Sequence, residues 1–229
     1  DYFYIKKADM SRIYGMELEH LLSPNKIHYL VKGTTLIEEH IQGIPGDAFI
    51  KNFLSRQDFN PLRVAKEFVK FNERCFIRLL GDMRSVNYVL EITPDFEAVQ
   101  YRVRPIDFDQ QSYHGRAKTY MAYHFDSNKV VTRMSFREMN RQTIAQYAEE
   151  ERTQMARRAR AERARLQALL RTMEREELAP MENIIRLRNG LNRIHSTDQF
   201  TECETMGALT KKHIDLMLFD PDFAYHAGR

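Results

Sequence analysis

The sequence predicts an α+β protein in which a small strand-rich unit, residues 1–42, precedes a larger helical one, residues 43–229. Three observations carry that prediction. The first 41 residues alternate aromatic and β-branched runs with a single helical pattern. QGIPG (42–46) then gathers two glycines and a proline, and the composition changes on either side of it. Beyond it, long stretches repeat apolar residues at helical intervals, interrupted by two strand-like runs at 86–92 and 98–106.

Taken in order, YFYIKK (2–7) reads as a strand. Residues 10–22 form a helix, with Ile13, Met16, Leu18, Leu21 and Leu22 on one side, Ser11 as the cap and Ser23-Pro24 as the stop. IHYLV (27–31) and TLIEEHI (35–41) make a hairpin about Lys32-Gly33-Thr34. Helices follow at 47–55 and at 61–80. The second opens on Pro61 and repeats Val64, Ala65, Phe68, Phe71 and Cys75 on one face. Strands 86–92 and 98–106 flank TPDFE, whose proline and aspartate suit a turn. Further helices are expected at 115–125, 135–177, 180–195 and 205–219. Tyr113, Tyr120 and Tyr123 are read as core or helix-packing residues.

Composition removes several function classes. The chain has 229 residues, 43% of them hydrophobic, enough for a sizeable core. Its formal net charge of +3 gives no long-range field for general nucleic-acid or membrane binding. The two cysteines, Cys75 and Cys203, lie far apart with no CxxC, so they are expected as buried thiols in a reducing, cytoplasmic setting. The eight histidines include no HxxxH pair, which argues against structural zinc. No apolar run reaches the roughly 18 residues of a membrane span. The chain opens at Asp1 directly in a strand-like run, so its strand-rich unit is expected to be incomplete here.

Residues 152–171 hold seven arginines against one glutamate. A thin seam of Met155, Ala159, Leu166, Leu169, Leu170 and Met173 suggests a partly solvated helix laid over the core. The sharper reading is a patch for an anionic substrate or an acidic partner. Aromatic platforms are not interleaved with the arginines, so nucleic acid is not the expected ligand.

The chemistry concentrates in GDMRSVNYVLEITPDFEAVQYRVRPIDFDQQ (81–111). Phosphoryl transfer asks for a carboxylate near an attacking hydroxyl and for oxygen ligands that hold magnesium among the phosphates. Asp82 at the end of a helix, Asn87 before one strand and Asp107 after the next are placed to converge. Their spacing alone is weak, because Asp47 and Asn52 share the same five-residue offset without the flanking strands. Context separates the two.

GDMRSVNYVL resembles the H-R-D-x-x-x-x-N catalytic loop of the protein-kinase-like superfamily, and IDFD (106–109) resembles its D-F-G motif. The resemblance covers roughly residues 1–125 and is closest to the aminoglycoside-phosphotransferase, small-molecule and atypical branches. No glycine-rich loop is present, Gly81 or Leu80 stands at the histidine position, Asp109 replaces the motif's glycine, and no A-P-E follows. The resemblance implies a two-lobed kinase-like fold with ATP and Mg2+ as cofactors. Asp82 would be the catalytic base, with Asn87, Asp107 and Asp109 on the metal. LIEEHIQGIPG is similar to the inter-lobe hinge, which implies Glu39, His40 and Ile41 at the nucleotide's base. YFYIKK is similar to the strand of the phosphate-contacting lysine, which implies Lys6 or Lys7 in that role and Glu17 or Glu19 as its partner. The acceptor, a small molecule or a protein, is not implied. The alternative is a pseudokinase or interaction module that holds an acidic partner on the arginine-rich helix.

Overall fold

A computed structural model describes residues 2–54, 59–94 and 99–220. The architecture is α+β, with two small antiparallel sheets set among helices. The first sheet has the order β1 (Phe3–Lys7), β3 (Thr35–Glu39), β2 (Tyr29–Lys32). The second has the order β4 (Ile44–Pro45), β5 (Tyr88–Thr93), β6 (Gln100–Pro105). The helices are α1 (Met10–Leu22), α2 (Gly46–Asn52), α3 (Pro61–Arg78), α4 (Lys129–Glu138), α5 (Arg141–Ala161), α6 (Arg163–Met173), α7 (Met181–His195) and α8 (Met206–Phe219). Part of the expected 93–97 turn, Ser55 and His226 lie outside the described residues.

Local chemistry accounts for the element ends. Asp9, rather than the expected Ser11, caps α1 by accepting the Arg12 amide. Asn60 caps α3 in the same way, with Pro61 at its first position. Gly33, at φ 58°, turns the β2–β3 hairpin, as the sequence predicts. QGIPG is more than a boundary: Ile44 and Pro45 add a short strand to β5. A Cβ on Gly43 would lie 2.8 Å from the Val89 side chain, so the close backbone approach needs glycine.

Two expected helices are not single helices. Residues 115–125 form short 3-10 turns, Ala117–Tyr120 and Ala122–His124, instead of one α-helix. The Asn128 amide donates to Ala122 O at 2.7 Å and to Met83 O at 2.8 Å, tying this segment to the loop after α3. The three tyrosines therefore share no helix face. Tyr120 is buried and donates to His114 O, whereas Tyr113 and Tyr123 are exposed. The stretch 135–177 is three helices. Met139 is extended and Asn140 recaps α5 by accepting the Thr143 amide at 2.8 Å. Glu162 breaks the axis again before α6. The expected seam still faces inward, with Met155, Ala159, Leu166, Leu170 and Met173 buried.

Helix α3 joins the two parts of the core. Its Phe76 and Ile77 pack with α1 and α5–α8, while Val64, Phe68, Phe71 and Cys75 pack with α4, β5, β6 and the β2–β3 hairpin. Both cysteines are buried and free, and burial pushes the Cys75 thiol's pKa up. Two buried arginines brace α3. Arg74 contacts Glu67 at 2.7 Å, Glu151 at 3.2 Å and Val103 O at 3.1 Å, joining α3 to α5 and β6. Arg78 pairs with Glu19 of α1, and both side chains are sealed from solvent. Glu19 also accepts from Asn25 at 2.7 Å.

Removing one member of a sealed ion pair strands the other charge, which costs about 3–5 kcal/mol. Glu19→Ala should lose that much in urea unfolding, and replacing Glu19 and Arg78 together with methionine should recover most of it. Equal losses for the single and double variants would contradict the pairing.

A second pair, of half-buried His195 and buried His213, links α7 to α8. His195 and His213 meet Nε2 to Nε2 at 2.9 Å, and His213 Nδ1 lies 3.2 Å from Ile77 O. The carbonyl accepts only, so His213 donates through Nδ1 and His195 donates to its Nε2, with both rings neutral. Burial, with Arg152 nearby, lowers His195 to about 4, and His213 is lowered too. The unfolded rings titrate near about 6.5, so the unfolded chain binds more protons below that pH. The pair's contribution is whole above that value and is lost as pH falls toward 4. The urea midpoint should drop between pH 7 and pH 5 in the wild type, and less steeply in His195→Asn.

Candidate active site

The loop after α3 is built by how that helix stops. Leu79 turns left-handed at φ 57°, and Leu80 leaves the helix to bridge Gln111. The returning strand holds this corner from the other side. Ser112 N donates to Leu79 O at 2.9 Å, Gly81 N to Gln110 O at 3.2 Å, and the Gln111 amide to the carbonyls of Arg78 and Leu79. Ser112 Oγ meets Thr210 of α8 at 2.7 Å, which anchors the corner in the helical core. Asp82 follows, also at φ 57°, with its amide on Thr119 O. A non-glycine residue in this region is strained and stays only where its surroundings over-determine it.

Asp82 and Asn87 meet. Asn87 Nδ2 donates to Asp82 O at 2.7 Å and lies 3.3 Å from its Oδ2, so the amide closes the loop and orients the carboxylate. Arg84, two residues beyond Asp82, grips it with Nε at 2.8 Å and Nη2 at 2.7 Å. That two-pronged geometry is the strong form of the pair. Ile106 N donates to Asn87 O at 3.0 Å, and β5 and β6 pair in register from Tyr88 opposite Pro105 to Thr93 opposite Gln100. Hence the second strand returns IDFD beside Asn87.

An open groove of about 680 Å³ is lined by Lys6, Lys7, Asp9, Arg12, Val86, Asn87, Ile106 and Asp107. It gathers both candidate lysines and two of the candidate metal ligands. Asp82 adjoins it through Asn87, and Asp109 joins from the next turn through Arg12. Phe108 between the two aspartates is buried under α1, where a Cβ on Gly15 would come 2.9 Å from it.

The expected lysine–glutamate pairing differs. Lys6 pairs with Glu38 on the adjacent strand β3. Glu17 takes the Tyr29 hydroxyl and, at 2.7 Å, Arg165 of α6, and Glu19 is committed to Arg78. The helical spacing of α1 left open which neighbour each glutamate meets. The hinge residues stand apart from the groove lining. The Glu39 amide donates to His28 O and the His40 amide to Tyr2 O, and Ile41 is buried. The Glu39 carboxylate accepts from His28, and His40 meets the Tyr4 hydroxyl at 2.9 Å.

Three residues of the site were not singled out in the sequence. Arg84 had a readable signal, since it lies inside the Asp82–Asn87 loop. Arg12 had none, because its link to Asp107 and Asp109, at 3.5 and 3.8 Å, depends on how α1 docks. His114 sits over Gly81, where a Cβ would lie 3.1 Å from its ring. Burial lowers the His114 pKa while Asp82 and Asp109 oppose the shift. Burial and the charge of Asp107 raise the Asp109 carboxyl's pKa, and Arg12 offsets part of that rise.

The donor set fits magnesium in kind. That ion takes oxygen ligands, one or two carboxylates together with substrate phosphates and water. Asp107 and Asp109 supply carboxylates, and Asn87 keeps its Oδ1 because Nδ2 is spent on Asp82. Among the described residues, no group of three or more histidine, cysteine, aspartate or glutamate side chains could hold a metal alone, so water or phosphate oxygens would have to complete the shell. No protein-family model, curated protein or solved structure matches the chain. Among the described residues, no helix is long and apolar enough to cross a membrane.

Gly81 is a close-packed point of the corner, since His114, Tyr120 and Gln110 O all lie within 3.3 Å of where a Cβ would stand. Gly81→Val should cost about 1–3 kcal/mol through overpacking, read by denaturant unfolding. An unchanged midpoint would show that the corner has room.

Proposed function

We propose that the chain is an ATP- and magnesium-dependent phosphotransferase with a kinase-like two-lobed arrangement, acting on a hydroxyl acceptor. The observation that carries the reading is the Asn87 side chain. It holds Asp82 by backbone and carboxylate while lining one groove with Lys6, Lys7 and Asp107. The strand order supports it too, because the lysine strand β1 lies against β3, which runs into the connection between the sheets.

On this reading each side chain has a task. Asp82 accepts the acceptor's hydroxyl proton, and Asn87 fixes its orientation. Arg84 would leave Asp82 and turn its guanidinium to phosphate oxygens as nucleotide enters, a geometry that suits its planar fork. Lys6 and Lys7 provide a basic wall for the phosphates. Bound magnesium would neutralise phosphate charge from Asp107, Asp109 and Asn87. Catalysis of this kind rests on positioning and electrostatics, which suits a groove lined by Lys6, Lys7, Asp9, Arg12 and Asp107 beside a braced loop.

A second reading, an inert kinase-like module that holds an acidic partner on its arginine-rich helices, is favoured by one observation: Arg84 takes both carboxylate oxygens of Asp82. One set of variants separates the two. ATP with Mg2+ should raise the melting temperature of the wild type and of Asp82→Asn, and should raise that of Asp107→Ala far less. Phosphoryl transfer or slow ATP hydrolysis should fall by about 10²-fold or more in Asp82→Asn. Equal shifts for wild type and Asp107→Ala would remove the metal assignment. A nucleotide-induced shift with no turnover in the wild type would favour the inert module.

A further inference from the structure

Helix α1 begins with a charge arrangement that the proposed reaction does not require. The Asp9 carboxylate caps the Arg12 amide at 2.8 Å and meets its Nε at 3.2 Å. The far edge of the same guanidinium lies 3.5 Å from Asp107 Oδ1 and 3.8 Å from Asp109 Oδ2, and the side chain is only 14% exposed. One cation is thus held among three carboxylates from two segments of the chain.

The distances decide what this cation can do. Charge-assisted nitrogen–oxygen hydrogen bonds run at about 2.7–2.9 Å, a length Arg84 achieves on Asp82. Arg12 lies beyond that range from both Asp107 and Asp109. It neutralises their mutual repulsion without saturating their oxygens, and the Asp9 cap on its backbone amide would survive if the side chain swung away. A neutral side chain here would leave two neighbouring carboxylates facing one another.

We propose that Arg12 is a resident counter-cation that competes with a divalent metal for Asp107 and Asp109, and so sets the metal affinity of the site. The inference rests on the phosphotransferase reading for the identity of that metal. It follows that metal binds weakly until nucleotide phosphates supply further ligands or draw Arg12 onto themselves, which couples metal loading to substrate loading. Helix α1 carries the competing group, so any shift of α1 changes the affinity.

Manganese serves as the probe, with free Mn2+ read by electron paramagnetic resonance in the absence of nucleotide. Arg12→Gln should bind Mn2+ about tenfold more tightly than the wild type, as expected from losing one competing charged contact. Adding Asp107→Asn should abolish the gain. Arg12→Lys, which keeps the charge but not the fork, should fall between the two and stands in if the glutamine variant does not fold. Equal, measurable affinity in wild type and Arg12→Gln overturns the competition while leaving the metal site intact. Tighter binding that survives Asp107→Asn also overturns it, by putting the ion elsewhere. No Mn2+ binding by any of the proteins removes both the competition and the metal assignment beneath it.

Discussion

The way α3 ends governs the rest of the site. A long amphipathic helix buried on two sides must stop with its last carbonyls satisfied, and here they are met by the returning chain: Ser112 N on Leu79 O and the Gln111 amide on Arg78 and Leu79. The last helical residue, Arg78, is locked to Glu19 of α1 in the interior. That pair is a weak source of net stability, because desolvation offsets its attraction. In the docking of α1 beside α3 the two buried charges face each other, so a shift of either helix would separate them. The docking in turn brings Gly15 over Phe108 and Arg12 to the aspartates on either side of it.

With the corner set, most charges of the groove are paired. Asp82 has Arg84, Asp107 and Asp109 have Arg12, and Lys6 has Glu38. These partners belong to the loop, to α1 and to the first sheet, so the site is closed by contacts that a polyanionic ligand could exchange for its own. Side chains with few competing contacts can make that exchange at modest cost; Arg84, largely exposed, is the clearest case. The sealed Arg78 and Arg74 cannot, and they remain scaffold.

How much of this the sequence revealed depends on whether the signal was local. Helix α1 runs over the predicted residues 10–22, and both hairpins form, because apolar period and turn chemistry are properties of neighbours along the chain. The reading failed where long-range polar contacts outweigh local pattern. Asn128 reaches Ala122 and Met83 and draws 115–125 into 3-10 turns, and Asn140 caps a new helix inside an apparently continuous one. The site divides in the same way. Asp82 and Asn87 share one loop, so their meeting was legible from spacing and context. The partner of Lys6 follows from the pairing of β1 with β3, and those of Glu17 and Glu19, with the reach of Arg12, follow from how α1 docks, none of which a local pattern encodes.

The central claim is that one groove brings Asn87 and Asp107 together on a metal-bound nucleotide beside Asp82. A crystal structure with Mn2+ and a non-hydrolysable ATP analogue tests it most directly, because anomalous scattering locates the ion independently of any interpretation of side chains. The account predicts an anomalous peak coordinated by Asp107 and Asn87 Oδ1, with the terminal phosphate between that ion and Asp82. A peak bound away from these residues, or nucleotide bound outside the groove with Arg12 still on Asp107, would contradict it.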